Sequence, residues 1–247
     1  MRQLLLKLIL SALLCLPFIV EAGPFDNTLW LGNNKNASLG VLNVTRTGKI
    51  LRHVHDTEAT GIAIDASKNL IFLGDDAGQI TARELNSPAL PLPSRTLNPP
   101  ASNGRDMAFD GKYLWRTDTG NRTVQQINPK TGALRFSFEP DFYVIGIAWD
   151  GRHLWMSEYN GFAGNERIVQ FTLEGIPTGV EFPAGLVGDL VGGLAFDSTD
   201  NTLWLGARNK LYHYTTTGKL LGSVPIATSG RFIDGLEFQG VAACVQQ

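Results

Sequence analysis

Carboxylates, guanidinium groups and phenols fall at two recurrent places along this chain of 247 residues. One set stands just ahead of short apolar stretches: Glu58, Arg105, Asp106, Tyr143, Asp189, Arg231 and Asp234. The other set follows stretches of the Leu-Trp-Leu-Gly kind: Asn33, Asn34, Asp75, Asp76, Asp118, Glu158, Tyr159, Arg208 and Asn209. Carboxylate and amide oxygens together form the hard donor set that suits Ca²⁺ or another divalent cation. Carboxylates held near one another also raise one another's pKa, which supplies a general acid or base. Asp106, Glu158, Asp189 and Asp234 are the residues placed for either role, in a metal-assisted hydrolase or lyase. Arg105, Arg208 and Arg231 oppose those acids. With them the two sets read as a mixed polar surface that binds a small ligand, a glycan or a protein.

Other chemistry is thinner. His53 and His55 alternate on one strand and share a face, but no third histidine matches them; His153 sits in a turn and His213 within a strand. There is no Gly-x-Ser-x-Gly elbow, P-loop or dinucleotide fingerprint. The net charge is −2 and no basic patch is visible, which argues against a nucleic-acid partner.

The elements that position these residues repeat. Gly146-Ile-Ala-Trp-Asp-Gly-Arg-His-Leu-Trp155 reads as a strand, an Asp-Gly turn and a returning strand, because the tight primed turn needs positive φ and glycine accepts it. Asp106-Met-Ala-Phe-Asp-Gly-Lys-Tyr-Leu-Trp115 copies the unit, and Gly61 to Phe72 and Gly193 to Trp204 copy it with longer turns. Asp65, Asp110, Asp150 and Asp197 stand 45, 40 and 47 residues apart. Periods of about 40 to 50 residues with several short strands each are the signature of a β-propeller. Thr-Gly pairs at 47–48, 131–132, 178–179 and 217–218 mark a further turn per unit, giving four strands per blade.

The first unit begins at its second-strand motif, Asn27-Thr-Leu-Trp-Leu-Gly32, and the last contains only a first strand, Ile233 to Gln239. Donating that strand to the first blade closes the ring and removes two sheet edges. The expectation is an all-β, five-bladed propeller; six blades with one degenerate is the alternative. The proline-rich segment Leu85 to Pro100 is excluded from a central strand and is expected to be a surface loop. Trp30, Phe72, Trp115, Trp155 and Trp204 recur in every blade and are expected to fill the layers between blades, not to stack a ligand. The repeated Asp residues are expected to brace their turns. Ala63, Ala108, Ala148 and Ala195 are expected to be small because inner strands crowd near the axis.

Ahead of the repeats, Arg2 and Lys7 flank an apolar run, and Val20-Glu-Ala22 offers a cleavage site, the layout of a secretory signal peptide. Residues 1–22 are therefore expected to be removed and 23–247 to form one exported domain, secreted or periplasmic, with no membrane span, expected as a monomer. Cys244 then stands alone, so no internal disulfide forms.

The Gly-x-Ala-x-Asp, turn, Leu-Trp pattern resembles the exported NHL-like propellers and their gluconolactonase-like relatives. That resemblance implies a ligand-binding scaffold or a lactonase-like enzyme. A weaker resemblance, to five-bladed plant- and bacterial-type glutaminyl cyclases, rests on Tyr143-Val-Ile-Gly-Ile147 and Ser157-Glu-Tyr-Asn160. Those enzymes carry Phe-Thr-Gln-Gly-Leu and Glu-Ser-Thr-Gly there, so the glutamine is missing here and the glutamate is displaced by one.

Overall fold

In a computed structural model the chain forms a ring of five four-stranded antiparallel sheets. The structure describes residues 26–33, 40–55, 57–160, 164–186, 189–227 and 232–240, without the side chains of 93 and 94. The leader, Cys244, Asn34 and Arg231 lie outside the described residues.

The first blade holds β1 (Thr28–Asn33), β2 (Val41–Thr45) and β3 (Ile50–Val54). The second holds β4 (Gly61–Asp65), β5 (Leu70–Gly74), β6 (Ile80–Glu84) and β7 (Ser87–Leu97). In the third are β8 (Gly104–Phe109), β9 (Leu114–Asp118), β10 (Thr123–Ile127) and β11 (Leu134–Phe138). The fourth has β12 (Val144–Trp149), β13 (Leu154–Glu158), β14 (Arg167–Phe171) and β15 (Pro177–Pro183). The fifth has β16 (Leu194–Asp197), β17 (Thr202–Ala207), β18 (Lys210–Thr215) and β19 (Leu220–Pro225). The last strand, β20 (Ile233–Gln239), returns to the first blade and pairs antiparallel with β1, Thr28 opposite Gln239 and Leu31 opposite Leu236. The chain is thus closed as the sequence implies, with five blades.

Two details differ from the sequence reading. The proline-rich segment is not a loop but the outer strand of the second blade, broken by bulges against β6. An outer strand has one unpaired side, where a missing N–H does no harm. In the fourth blade Thr178-Gly179 lies inside β15, and the turn is instead Thr172 to Ile176, with Gly175 at φ +81°.

Each hairpin of the Asp-Gly type is a single bonded unit. In the fourth blade Asp150 Oδ1 accepts the N–H groups of Arg152 and His153, at 2.8 and 2.6 Å, while Oδ2 accepts the Trp155 indole at 2.8 Å. Asp110 does the same for Lys112, Tyr113 and Trp115. In the first blade the acceptor comes from the other end of the chain: Gln239 Oε1 takes the Trp30 indole N–H at 2.9 Å. A buried indole N–H left without an acceptor is destabilising, so the aspartate and tryptophan specify each other five residues apart.

Five apolar clusters occupy the five gaps between blades, and the recurrent Trp and Phe sit in them, at most 3% exposed. Each such ring buried contributes about 1.5–3 kcal/mol. The repeated alanines also lie in these clusters, against neighbouring blades. Crowding at the axis falls two residues earlier, on Gly61, Gly146, Gly193 and Gly235. A Cβ at Gly61, Gly146 or Gly193 would meet a neighbouring backbone oxygen at 2.3–2.6 Å.

Candidate functional site

The third blade breaks the glycine rule: Asp106 stands where the other first strands have glycine. Its carboxylate fills the centre of the ring. Oδ2 accepts N–H groups from Leu194 at 2.8 Å and Ile147 at 3.2 Å; Oδ1 accepts from Leu236 at 3.1 Å and from Met107 at 2.9 Å. Four first strands are thereby tied to one side chain, which is fully buried. Burial pushes its pKa well above the carboxylate range, against the pull of those four amide bonds. Both oxygens are consumed inside the protein, so Asp106 is not presented at the mouth.

One residue earlier, Arg105 faces the other way, into a cavity of about 360 Å³ at the end of the ring opposite the Asp-Gly hairpins. Arg105 Nη1 donates to Asp234 Oδ2 at 2.9 Å. The pair is sheltered, with side chains 12% and 3% exposed. Tyr143 and Tyr159 form walls, held together by a 2.7 Å bond from the Tyr159 N–H to the Tyr143 carbonyl. They stand 46% and 37% exposed. Ile145, Leu190, Val191 and Phe232 supply apolar surface, and Asn103 donates to Thr119 Oγ1 at 2.7 Å on the remaining side. Four of the five blades contribute.

Two arginines sit over the aromatic walls. The Arg122 guanidinium is 4.6 Å from the Tyr143 ring centre, and that of Arg208 is 4.8 Å from the Phe232 ring centre. Arg208 also bridges to Phe232 through the backbone.

The remaining sequence candidates are mostly turned inward or elsewhere. Asp189 Oδ1 accepts the N–H groups of Leu190 and Arg208, bracing the cavity wall from behind. Burial would raise the Asp118 pKa, but N–H groups of Ser102, Asn103 and Asn121 and the Asn121 side chain hold it below the usual range. Glu158 accepts from Arg167 Nε at 2.8 Å. Glu58, in the segment leading into β4, and Asp76, in the turn after β5, do not line the cavity. The structure therefore brings together Arg105, Tyr143, Tyr159 and Asp234, with Arg208 on the rim.

Missed by sequence reasoning were Arg122 and the apolar lining. Phe232 and Leu190 each adjoin a residue singled out for its charge, and a search for polar groups alone passes over them. Among the described residues no group of three or more His, Cys, Asp or Glu is placed to hold a metal ion. His53 and His55 contact each other, ring centres 3.7 Å apart, beside a separate side cavity of about 470 Å³ between the outer strands of the first two blades. No His, Cys or Ser is among the described residues lining the mouth cavity. What the mouth offers is an aromatic and apolar hollow with an ion pair at one side and two arginines over its aromatic walls.

No protein-family model matches the chain, and no curated protein matches it in sequence. Among solved structures it is similar to a chain in the crystal structure of a nidogen/laminin complex, at 14% identity and a TM-score of 0.56, covering 85% of this chain and 97% of that one. At that identity the likeness is one of fold. No helix among the described residues is long and apolar enough to cross a membrane.

Proposed function

We propose that this chain is an exported, NHL-like propeller that docks a protein partner at the mouth of its ring. The observation that carries this reading is the mouth cavity itself, shared by four blades and walled by two exposed tyrosines. Interface residues that dominate binding are enriched in Tyr and Arg around a desolvated pocket, and this cavity has that composition. A volume of about 360 Å³ takes one large side chain of a partner or one sugar-sized ligand. The similar propeller was solved in a complex of two proteins, nidogen and laminin, which supports a protein occupant. Export rests on the layout of residues 1–22.

The test is a photo-crosslinking residue introduced at Tyr143 and, separately, at Val180 on the outer strand of the fourth blade, in the organism of origin. Protein adducts are expected from position 143 and not from 180. Equal adducts from both positions, or none from 143, overturn the reading.

A further inference from the structure

We propose that the mouth recognises an acidic segment of its partner: an apolar or aromatic side chain seated in the cavity, with carboxylates on either side. The inference rests on the docking reading above and adds the charge of the occupant.

Spent and unspent charges at the mouth differ in sign. The acids that line or brace the cavity are engaged by the protein's own donors. Asp234 is paired with Arg105, Glu158 with Arg167, and Asp118 and Asp189 accept backbone N–H groups. The arginines on the rim are not so engaged. Arg122 and Arg208 are exposed, and neither forms an ion pair among the described residues; each is instead laid on an aromatic ring. A guanidinium stacked on a ring keeps its N–H fork free at the edge, where it meets a carboxylate with two parallel bonds. Contact with the ring also restrains the side chain before binding, so less freedom is lost when the carboxylate arrives. The two stacked arginines arise from different blades, the third and the fifth. Their supporting rings, Tyr143 and Phe232, line one and the same cavity. An apolar anchor between two carboxylates matches that layout.

The experiment measures fluorescence anisotropy of labelled peptides Gly-Asp-Xaa-Glu-Gly, with Xaa Leu, Phe or Tyr, against residues 23–247. Matched peptides carry Asn and Gln, or Lys and Lys, in place of the acids. The acidic set is expected to bind about tenfold more tightly than the amide set, with the difference shrinking as salt rises from about 20 to about 300 mM. In the double variant Arg122→Glu/Arg208→Glu the preference is expected to invert toward the lysine set. That inversion cannot come from unfolding, because an unfolded mouth binds neither set. Equal binding of all three sets, abolished by Tyr143→Ala/Tyr159→Ala, overturns the charge assignment and leaves the docking face standing. Absence of acidic-peptide binding at about 1 mM overturns the assignment as well, and the crosslinking experiment then judges the docking face alone.

Discussion

Asp106 and Asp234 make an instructive pair. Both come from first strands at the mouth end of the ring, and both are acids that the sequence singles out for chemistry. Asp106 occupies the glycine position and turns onto the axis, where four amides take its two oxygens. Asp234 stands one position earlier in its repeat, level with Arg105, and turns outward to the cavity. Successive residues of a strand face opposite ways, so a step of one residue separates a structural pin from a residue lining the cavity. Position in the repeat, not residue type, decides the role.

The largest test of that division removes the element that carries Asp234 and closes the ring. A chain ending at residue 232 lacks β20, leaves β1 unpaired, and is expected to lose its single cooperative unfolding transition in urea. An unchanged transition would show that closure by β20 is dispensable. Next comes Asp106→Ala, which strips the acceptor from four buried amides. It is expected to lower stability by about 4 kcal/mol in a urea melt, and Asp106→Asn by about half as much. A loss near zero for Asp106→Ala would return that residue to the list of ligand-binding groups.

Gln239→Ala removes the acceptor of the Trp30 indole and is expected to lower stability by about 1 kcal/mol in the same assay. A pH-dependent effect follows from Glu237, which stands where the other repeats carry alanine. Burial raises its pKa from 4.5 to about 8, although the residue as a whole keeps some exposed surface. The folded protein then holds this proton over a range where the unfolded chain has released it. Stability contributed there is present at low pH and falls as pH rises from 4.5 toward about 8. Thermal midpoints of the wild type are expected to drop between pH 5 and pH 9, and Glu237→Gln to flatten that part of the slope. Smallest of all is Tyr143→Ala/Tyr159→Ala, expected to shift stability by no more than about 0.5 kcal/mol while removing partner adducts. A destabilisation as large as that of Asp106→Ala would mean that the tyrosines hold the fold and not a ligand.

The architecture was legible because its signals are local and repeated. Asp150, Gly151 and Trp155 lie within six residues, and one bonded unit explains all three. The Pro88 to Pro93 stretch was misread because proline forbids only the inner side of a sheet, and sequence does not say which side a strand will occupy. The mouth was half legible. Charged residues advertise themselves, whereas Phe232, Ile145 and Val191 matter only because the ring brings four blades together around one hollow. The glycine exception at Asp106 was present in the aligned repeats, but its meaning depends on amides contributed from residues 41, 88 and 130 positions away.

The closing strand also imposes an order in time. β1 ends at Asn33, and its partner is not complete until Gln239. At an ordinary synthesis rate the ribosome takes roughly 10 to 40 s to cover that interval. Throughout it the first blade has an open edge, the axis lacks one of its inward amides, and the mouth lacks Phe232 and Asp234. The molecule therefore completes its mouth and its closed fold in the same late event, and a chain still in synthesis has neither.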